Sequence, residues 1–191
     1  MLPVLSPSEQ AALVSAVARG ERAAFERIYA LYFRPLSGYL MRQVRDAALV
    51  EELVDDTFVE AWRHASRFRG ESKLSTWLFG IARHRALDAL RARQPAHDDI
   101  DEQADLADVT PGPELQASRR QTAMALDAAL AQLPPEQREA LELVLHQGFS
   151  YEETAQLVQA PLNTVKTRVF HARRRLRDAL AHMKPESVES T

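Results

Sequence analysis

Apolar residues recur along most of the chain in steps of three and four, the spacing that aligns one face of an α-helix. Leu13, Val14 and Val17 make a short stripe within residues 8 to 19, and Gly20 stands where a helix ends in a left-handed residue. Phe25, Ile28, Tyr29, Tyr32, Leu36 and Leu40 continue at helical spacing. Pro35 predicts a kink or a restart there, because proline lacks a backbone donor and crowds the preceding turn. Leu49, Leu53, Phe58 and Trp62 mark a third helix, with Val54, Val59 and Ala61 beside them and an acidic opposite face of Glu51, Glu52, Asp55, Asp56 and Glu60. The polar run Arg67 to Lys73 reads as a loop. After it, Trp77, Leu78, Ile81, Leu87 and Leu90 define a fourth helix carrying Arg83, His84, Arg85, Arg91 and Arg93, with Asp88 in opposition.

Local signals sharpen towards the C-terminus. Gly148 suits the end of one helix, and Ser150-Tyr151-Glu152-Glu153 has capping-box form, Ser at the N-cap and Glu three residues on. The short helix it opens, with Ala155, Leu157 and Val158, runs into Gln159-Ala160-Pro161. A longer stripe follows at Leu162, Val165, Val169, Ala172, Leu176 and Leu180, and the opposite face shows Asn163, Lys166, Thr167, Phe170, His171, Arg173, Arg174 and Arg177. A short helix, a three-residue turn and a longer basic helix predict a helix-turn-helix whose second helix lies in the DNA major groove. Lys and Arg neutralise phosphates, Asn, Lys and Arg hydrogen-bond base edges, and Phe170 suits a thymine methyl.

Composition narrows the class. Among 191 residues 46% are hydrophobic and 27% charged, with only six Gly and no Cys. This is globular composition that favours helices. It excludes disulfide frameworks, thiolate zinc sites, iron–sulfur clusters and Cys nucleophiles. No uncharged apolar run approaches the ~18 residues of a membrane span, and MLPVLSPSEQ lacks the basic and apolar regions of a signal peptide, so a cytoplasmic chain is expected.

A net charge of -3 conceals a partition. Residues 22 to 95 carry 13 Lys+Arg and 9 Asp+Glu. Residues 96 to 118 carry Asp98, Asp99, Asp101, Glu102, Asp105, Asp108 and Glu114 and no Lys or Arg. From Lys166 to Lys184 Asp178 faces seven basic residues. The predicted organisation is all-α: a helical domain over 8–95, a flexible acidic linker over 96–118, a second helical domain over 119–184 and a tail over 185–191.

Both halves resemble a bacterial RNA polymerase sigma factor of the sigma-70 superfamily, in the short extracytoplasmic-function (ECF) group that keeps only regions 2 and 4. Region 2 resembles Ala24 to Arg93, through AFERIYALYF, VEELVDDTFVEAWRH and FRGESKLSTWLFGIARHRALDALR. Region 4 resembles Leu126 to Leu180, through LAQLPPEQREALELVLHQGFSYEETAQLVQAPLNTVKTRVFHARRRLR. Two motif blocks in order, with a variable linker between, are more specific than a lone helix-turn-helix. Gln159 and Asn163 depart from the pattern, each standing where the family usually has Gly.

The resemblance implies partners and roles. Region 2 docks on the clamp coiled coil of the polymerase β′ subunit through residues that map to Glu52, Leu53, Asp55, Asp56, Phe58 and Trp62; region 4 meets the β flap. The -10 element is recognised and opened by residues mapping to Phe68, Arg69, Gly70, Glu71, Ser72, Lys73, Thr76, Trp77, Arg83, His84 and Arg85. The -35 element is read by those mapping to Asn163, Thr164, Lys166, Thr167, Arg168, Phe170, His171, Arg173, Arg174 and Arg177. Core packing is an equal reading for Trp62, and Trp77 and Phe68 also suit a core. The linker either threads the RNA-exit path or serves as a solubilising tether. Anti-sigma factors commonly hold this group inactive by covering both domains. No cofactor or metal is implied.

Two other classes compete. Glu51-Glu52-x-x-Asp55-Asp56 places carboxylates four apart on one helix face, as in all-α magnesium-dependent enzymes, but such a site needs a second acidic helix facing the first. The remaining acids of that domain are scattered (Glu26, Asp46, Asp88), and His64, His84, His97, His146, His171 and His182 show no ligand spacing. A repressor-type DNA binder accounts for residues 126 to 180 and leaves VEELVDDTFVEAW unexplained.

Overall fold

A computed structural model describes residues 2–93 and 124–181. The predicted linker, the tail and the ends of both predicted domains lie outside the described residues. Those described fall into two compact units, residues 2–93 and residues 124–181. All their regular structure is helical.

The N-terminal unit holds α1 (Pro7–Ala18), α2 (Arg22–Val44), α3 (Ala47–His64), a 3₁₀ turn (Ala65–Arg67) and α4 (Leu74–Arg93). Helices α2, α3 and α4 pack on one another, and α1 lies against α2 and the 3₁₀ turn. Tyr32, Leu36, Tyr39 and Leu40 of α2, Val54 and Phe58 of α3, and Leu74, Leu78 and Phe79 of α4 are almost wholly buried. Gly20 has φ 84°, as its stop position requires. A capping box at Ser6 and Glu9 opens α1, a signal present in Ser-Pro-Ser-Glu that the apolar stripe alone did not bring out.

Pro35 does not end its helix: α2 runs through it for 23 residues. An internal proline costs about 3 kcal/mol, and each fully buried large apolar side chain recovers about 1.5–3 kcal/mol. Tyr32 and Leu36 straddle the proline, Tyr39 and Leu40 follow, and all four reach the core only if the helix continues.

The C-terminal unit holds α5, described over 124–131, then α6 (Pro135–Leu141), a π-helical turn (Glu142–Gln147), α7 (Tyr151–Val158) and α8 (Leu162–Ala181). Helix α8 packs on α6 and α7 through Val165, Val169 and Ala172. The π turn was not expected from the spacing. Gln147 Nε2 donates to Glu142 Oε1 at 2.9 Å inside it, a five-residue step that a wider turn brings to one side.

Candidate nucleic-acid interface

Helix α3 presents the first candidate surface. Asp46 caps its N-terminus by accepting from the Leu49 N–H at 3.0 Å. Its 3.6-residue period turns Leu49, Leu53, Val54, Phe58 and Ala61 inward and leaves Glu51, Glu52, Asp55, Asp56, Val59 and Trp62 outward. Leu53 and Phe58, two residues of the partner-binding set, are placed in the core, and the Phe58 ring lies 4.6 Å from that of Tyr29. Trp62 is 36% exposed and stands edge-on to Phe25 at 5.0 Å, half core and half surface. Beside it, Tyr29 stacks on the exposed Phe33 at 5.2 Å, an aromatic edge on α2 that the α3 pattern does not reveal. Burial, and then the charge of Asp55, push the Tyr29 hydroxyl above its ordinary pKa.

The loop between the 3₁₀ turn and α4 forms the second surface. Arg69, Gly70, Glu71 and Lys73 are exposed, and Gly70 takes φ 71°. Arg69 lies 3.9 Å from Glu71, and the rings of Phe68 and Trp77, both half-buried, are 5.1 Å apart. Trp77 also lines the narrow apolar void bounded by Val14, Val17, Phe25 and Leu78, so part of its ring belongs to the core. His84 is exposed, with Nδ1 3.1 Å from Asp88.

Two members of the -10 set are placed elsewhere by the helix period. Thr76 is 6% exposed and points inward. Arg85 faces α3, with nitrogens at 2.6 and 2.7 Å from Glu60 Oε2 and at 3.9 Å from Asp56. The hydrogen bond to Glu60 raises its already high pKa. It ties α4 to α3, whereas Lys73 and His84 remain outward.

The third surface is the helix-turn-helix. Ser150 Oγ accepts from the Glu153 N–H at 3.1 Å and Glu153 accepts from the Ser150 N–H at 2.9 Å, the capping box expected from sequence. The chain reaches it through Gly148 at φ 83° and leaves α7 through Gln159 at φ 53°, a left-handed position that favours Gly. On α8, Asn163, Lys166, Thr167, Phe170, Arg173, Arg174 and Arg177 are exposed, with Phe170 at 60%, and His171 and Thr164 are half-buried at the margin. The Glu152 carboxyl is held below its ordinary pKa by its own backbone N–H, then by the Ser150 hydroxyl, with the Lys166 charge adding a smaller pull. Arg168 differs from its neighbours: it turns to α6 and meets Glu136 at 2.8 Å. Between α6 and α8 an open groove of about 320 Å³ is lined by Gln137, Asn163, Thr164, Thr167, Arg168 and His171. Gln137 is an addition that the α8 stripe could not signal.

Among the described residues no three His, Asp or Glu side chains gather to hold a metal ion, and no helix is long and apolar enough to cross a membrane.

Both units match known protein families. The family model for Sigma-70 region 2 matches residues 28–95, and that for Sigma-70, region 4 matches residues 123–176. The RNA polymerase sigma-H factor of Pseudomonas aeruginosa is 32% identical over 186 residues, which cover 93% of this chain and 96% of the relative. The ECF RNA polymerase sigma-E factor of Haemophilus influenzae is 34% identical over 173 residues, 85% of this chain and 90% of the relative. Among solved structures, the sigma factor RpoE of Bartonella quintana, in complex with the anti-sigma factor NepR, matches with a TM-score of 0.68 at 30% identity, over 82% of this chain and 96% of that one. CnrH in complex with the cytosolic domain of CnrY gives the same TM-score at 24% identity, a likeness of fold.

Proposed function

The chain belongs to the ECF group of RNA polymerase sigma-70 factors, proteins of transcription initiation, and on that premise we propose that it binds core RNA polymerase and directs it to promoters with defined -10 and -35 elements. The observation that carries this reading is the exposed basic face of α8 behind a capped, tight turn, on the same chain as an exposed polar loop ahead of α4.

Core polymerase docks its β′ clamp coiled coil on the outward face of α3. Glu52, Asp55 and Asp56 supply charge complementary to a basic partner helix, and Val59 and the outer half of Trp62 supply apolar contact. The C-terminal unit meets the β flap. The N-terminal half of α8, with Asn163, Lys166, Thr167, Phe170 and His171, faces base edges of the -35 element, and Arg173, Arg174 and Arg177 run on towards phosphates. Arg168 acts indirectly by holding α6 to α8.

Melting falls to the loop. Extracting a base costs a few kcal/mol, which stacking at ~1–3 kcal/mol and a shaped pocket offset. Arg69 and Lys73 attract the displaced strand, Gly70 lets the backbone approach it, and the outer edges of Phe68 and Trp77 form an aromatic wall. Arg85 and Thr76 set the attitude of α4 without touching DNA. The protein works in the cytoplasm beside the polymerase, and an anti-sigma factor of the kind bound to the Bartonella quintana protein is its natural regulator.

Run-off transcription with core polymerase over a promoter library tests the reading directly. Transcripts from a subset of promoters sharing two spaced elements are expected. Core-independent binding of a single operator, with no transcripts, is the result that overturns it.

A further inference from the structure

Gln10 sits on α1, outside residues 28–95 that match the region 2 model, yet it is only 9% exposed. Its amide joins two backbones. Nε2 donates to the Leu5 carbonyl at 2.8 Å, and Oε1 accepts from the Leu74 N–H at 2.7 Å in a buried bond across 64 residues of sequence.

That N–H is the first of α4, one of the four that every helix leaves without an intrahelical partner. The residue before a helix normally supplies an acceptor, as Ser6, Asp46 and Ser150 do for α1, α3 and α7. Ahead of α4 stands Lys73, whose carbonyl accepts the first helical bond from Trp77. Its ammonium has only donors, and its charge opposes the helix dipole. Those three caps accept from the N–H of the third residue of their helices, whereas Gln10 reaches from α1 to the first N–H of α4.

The same helix meets the other end of the loop, because α1 packs on the 3₁₀ turn Ala65–Arg67 and Ala65 is buried. Both ends of the segment Phe68 to Lys73 are thus anchored to α1.

We propose that Gln10 is a positioning residue for promoter opening: it ties the first N–H of α4 to α1 and so pre-sets the loop that receives the extracted base. The inference rests on the reading of Phe68 to Lys73 as the -10 loop.

The test uses holoenzyme assembled from the full-length chain and core polymerase. Gln10→Met keeps the volume and removes both hydrogen bonds; Gln10→Glu keeps an acceptor for Leu74. The loss of one buried cap is expected to slow open-complex formation, read by permanganate-reactive thymines, about five- to tenfold in Gln10→Met. Closed-complex affinity should stay within about twofold, and amide exchange at Leu74 and residues 69–73 should accelerate. Gln10→Glu should return the opening rate to within about twofold of the parent. Opening at the parent rate in Gln10→Met, equal loss of closed and open complexes, no recovery in Gln10→Glu, or loss of cooperative thermal unfolding in Gln10→Met each overturns the proposal. Arg69→Ala and Lys73→Ala are measured alongside. If they slow opening and Gln10→Met does not, the role of Gln10 fails alone; if neither slows opening, the loop reading fails and takes this inference with it.

Discussion

Phe58 separates the packing of α3 from its partner surface. The family pattern puts this residue on the polymerase contact, whereas the ring is 2% exposed, 4.6 Å from the Tyr29 ring and edge-on to Phe25 at 6.2 Å. Truncation to Ala at such a site costs about 3–5 kcal/mol, a large part of a domain's 5–15 kcal/mol, and would unfold the unit under many assay conditions. Leu is the informative replacement, since it keeps much of the volume at about 1–1.5 kcal/mol. For a unit of this size that loss lowers Tm by roughly 4–12 °C. We therefore predict that Phe58→Leu melts at lower temperature by circular dichroism and, at 20 °C, binds core polymerase within about twofold of the parent in a fluorescence-anisotropy titration. The triple replacement of Glu52, Asp55 and Asp56 by Lys should do the reverse. All three side chains are exposed, so helicity and Tm should change little while core affinity falls by about tenfold or more. A Phe58→Leu protein with parental Tm and core affinity as poor as the triple variant would refute the placement of the ring.

Three further predictions concern DNA and the turn. Lys166→Ala and His171→Ala should each relax preference at individual -35 positions by about 1–3 kcal/mol, whereas Arg174→Ala or Arg177→Ala should weaken binding on all sequences and flatten its salt dependence; selection of -35 variants by holoenzyme reads both, and unchanged preference in both of the first pair would remove them from the reading head. Arg168→Ala should leave base preference intact and lower stability by less than about 1 kcal/mol, because its ion pair is made with a largely exposed Glu136; altered preference in the same selection would return Arg168 to the DNA surface. Gln159→Gly should raise the stability of the C-terminal unit by up to about 1 kcal/mol by relieving a left-handed non-glycine residue, measured by urea unfolding, and a lower midpoint would count against the turn geometry.

Much of the fold was legible because its signals are local. The stripe Leu162, Val165, Val169, Ala172 predicts α8, and Val165, Val169 and Ala172 are its buried residues. Gly20, Gly148 and the Ser150 box mark real helix boundaries, since φ > 0 and an N-cap acceptor are demands of single positions. At Pro35 the helix does not restart, because the local cost is set against tertiary burial of its neighbours, which no spacing rule weighs. The π turn was illegible because Glu142 and Gln147 become partners only in the wider turn. Site residues divide in the same way. Motif position assigned Leu53, Phe58, Thr76, Arg85 and Arg168 to contact sets, and rotation about each helix axis turns the first three into the core and the two arginines towards neighbouring helices.

The positions where this chain breaks its own local rules are informative about function. Helices α1, α3 and α7 open on Ser6, Asp46 and Ser150, each accepting a helical N–H, whereas α2 and α6 open on Glu21 and Pro134 without a side-chain cap and α4 opens on a lysine. A basic N-cap is the wrong choice for an isolated helix by both hydrogen bonding and dipole. Gln10 ties the first N–H of α4 to α1, and a lysine at the N-cap is useful if the adjacent loop meets a polyanion. The turn before α8 also departs from a local rule: Gln159 takes a left-handed backbone that favours Gly, ahead of the helix that exposes Lys166 and Phe170. Local rules that fail in company with a compensating contact mark sites shaped by something outside the fold. Here the basic N-cap of α4 adjoins the loop assigned to the -10 element, and the Gln159 turn leads into the helix assigned to -35.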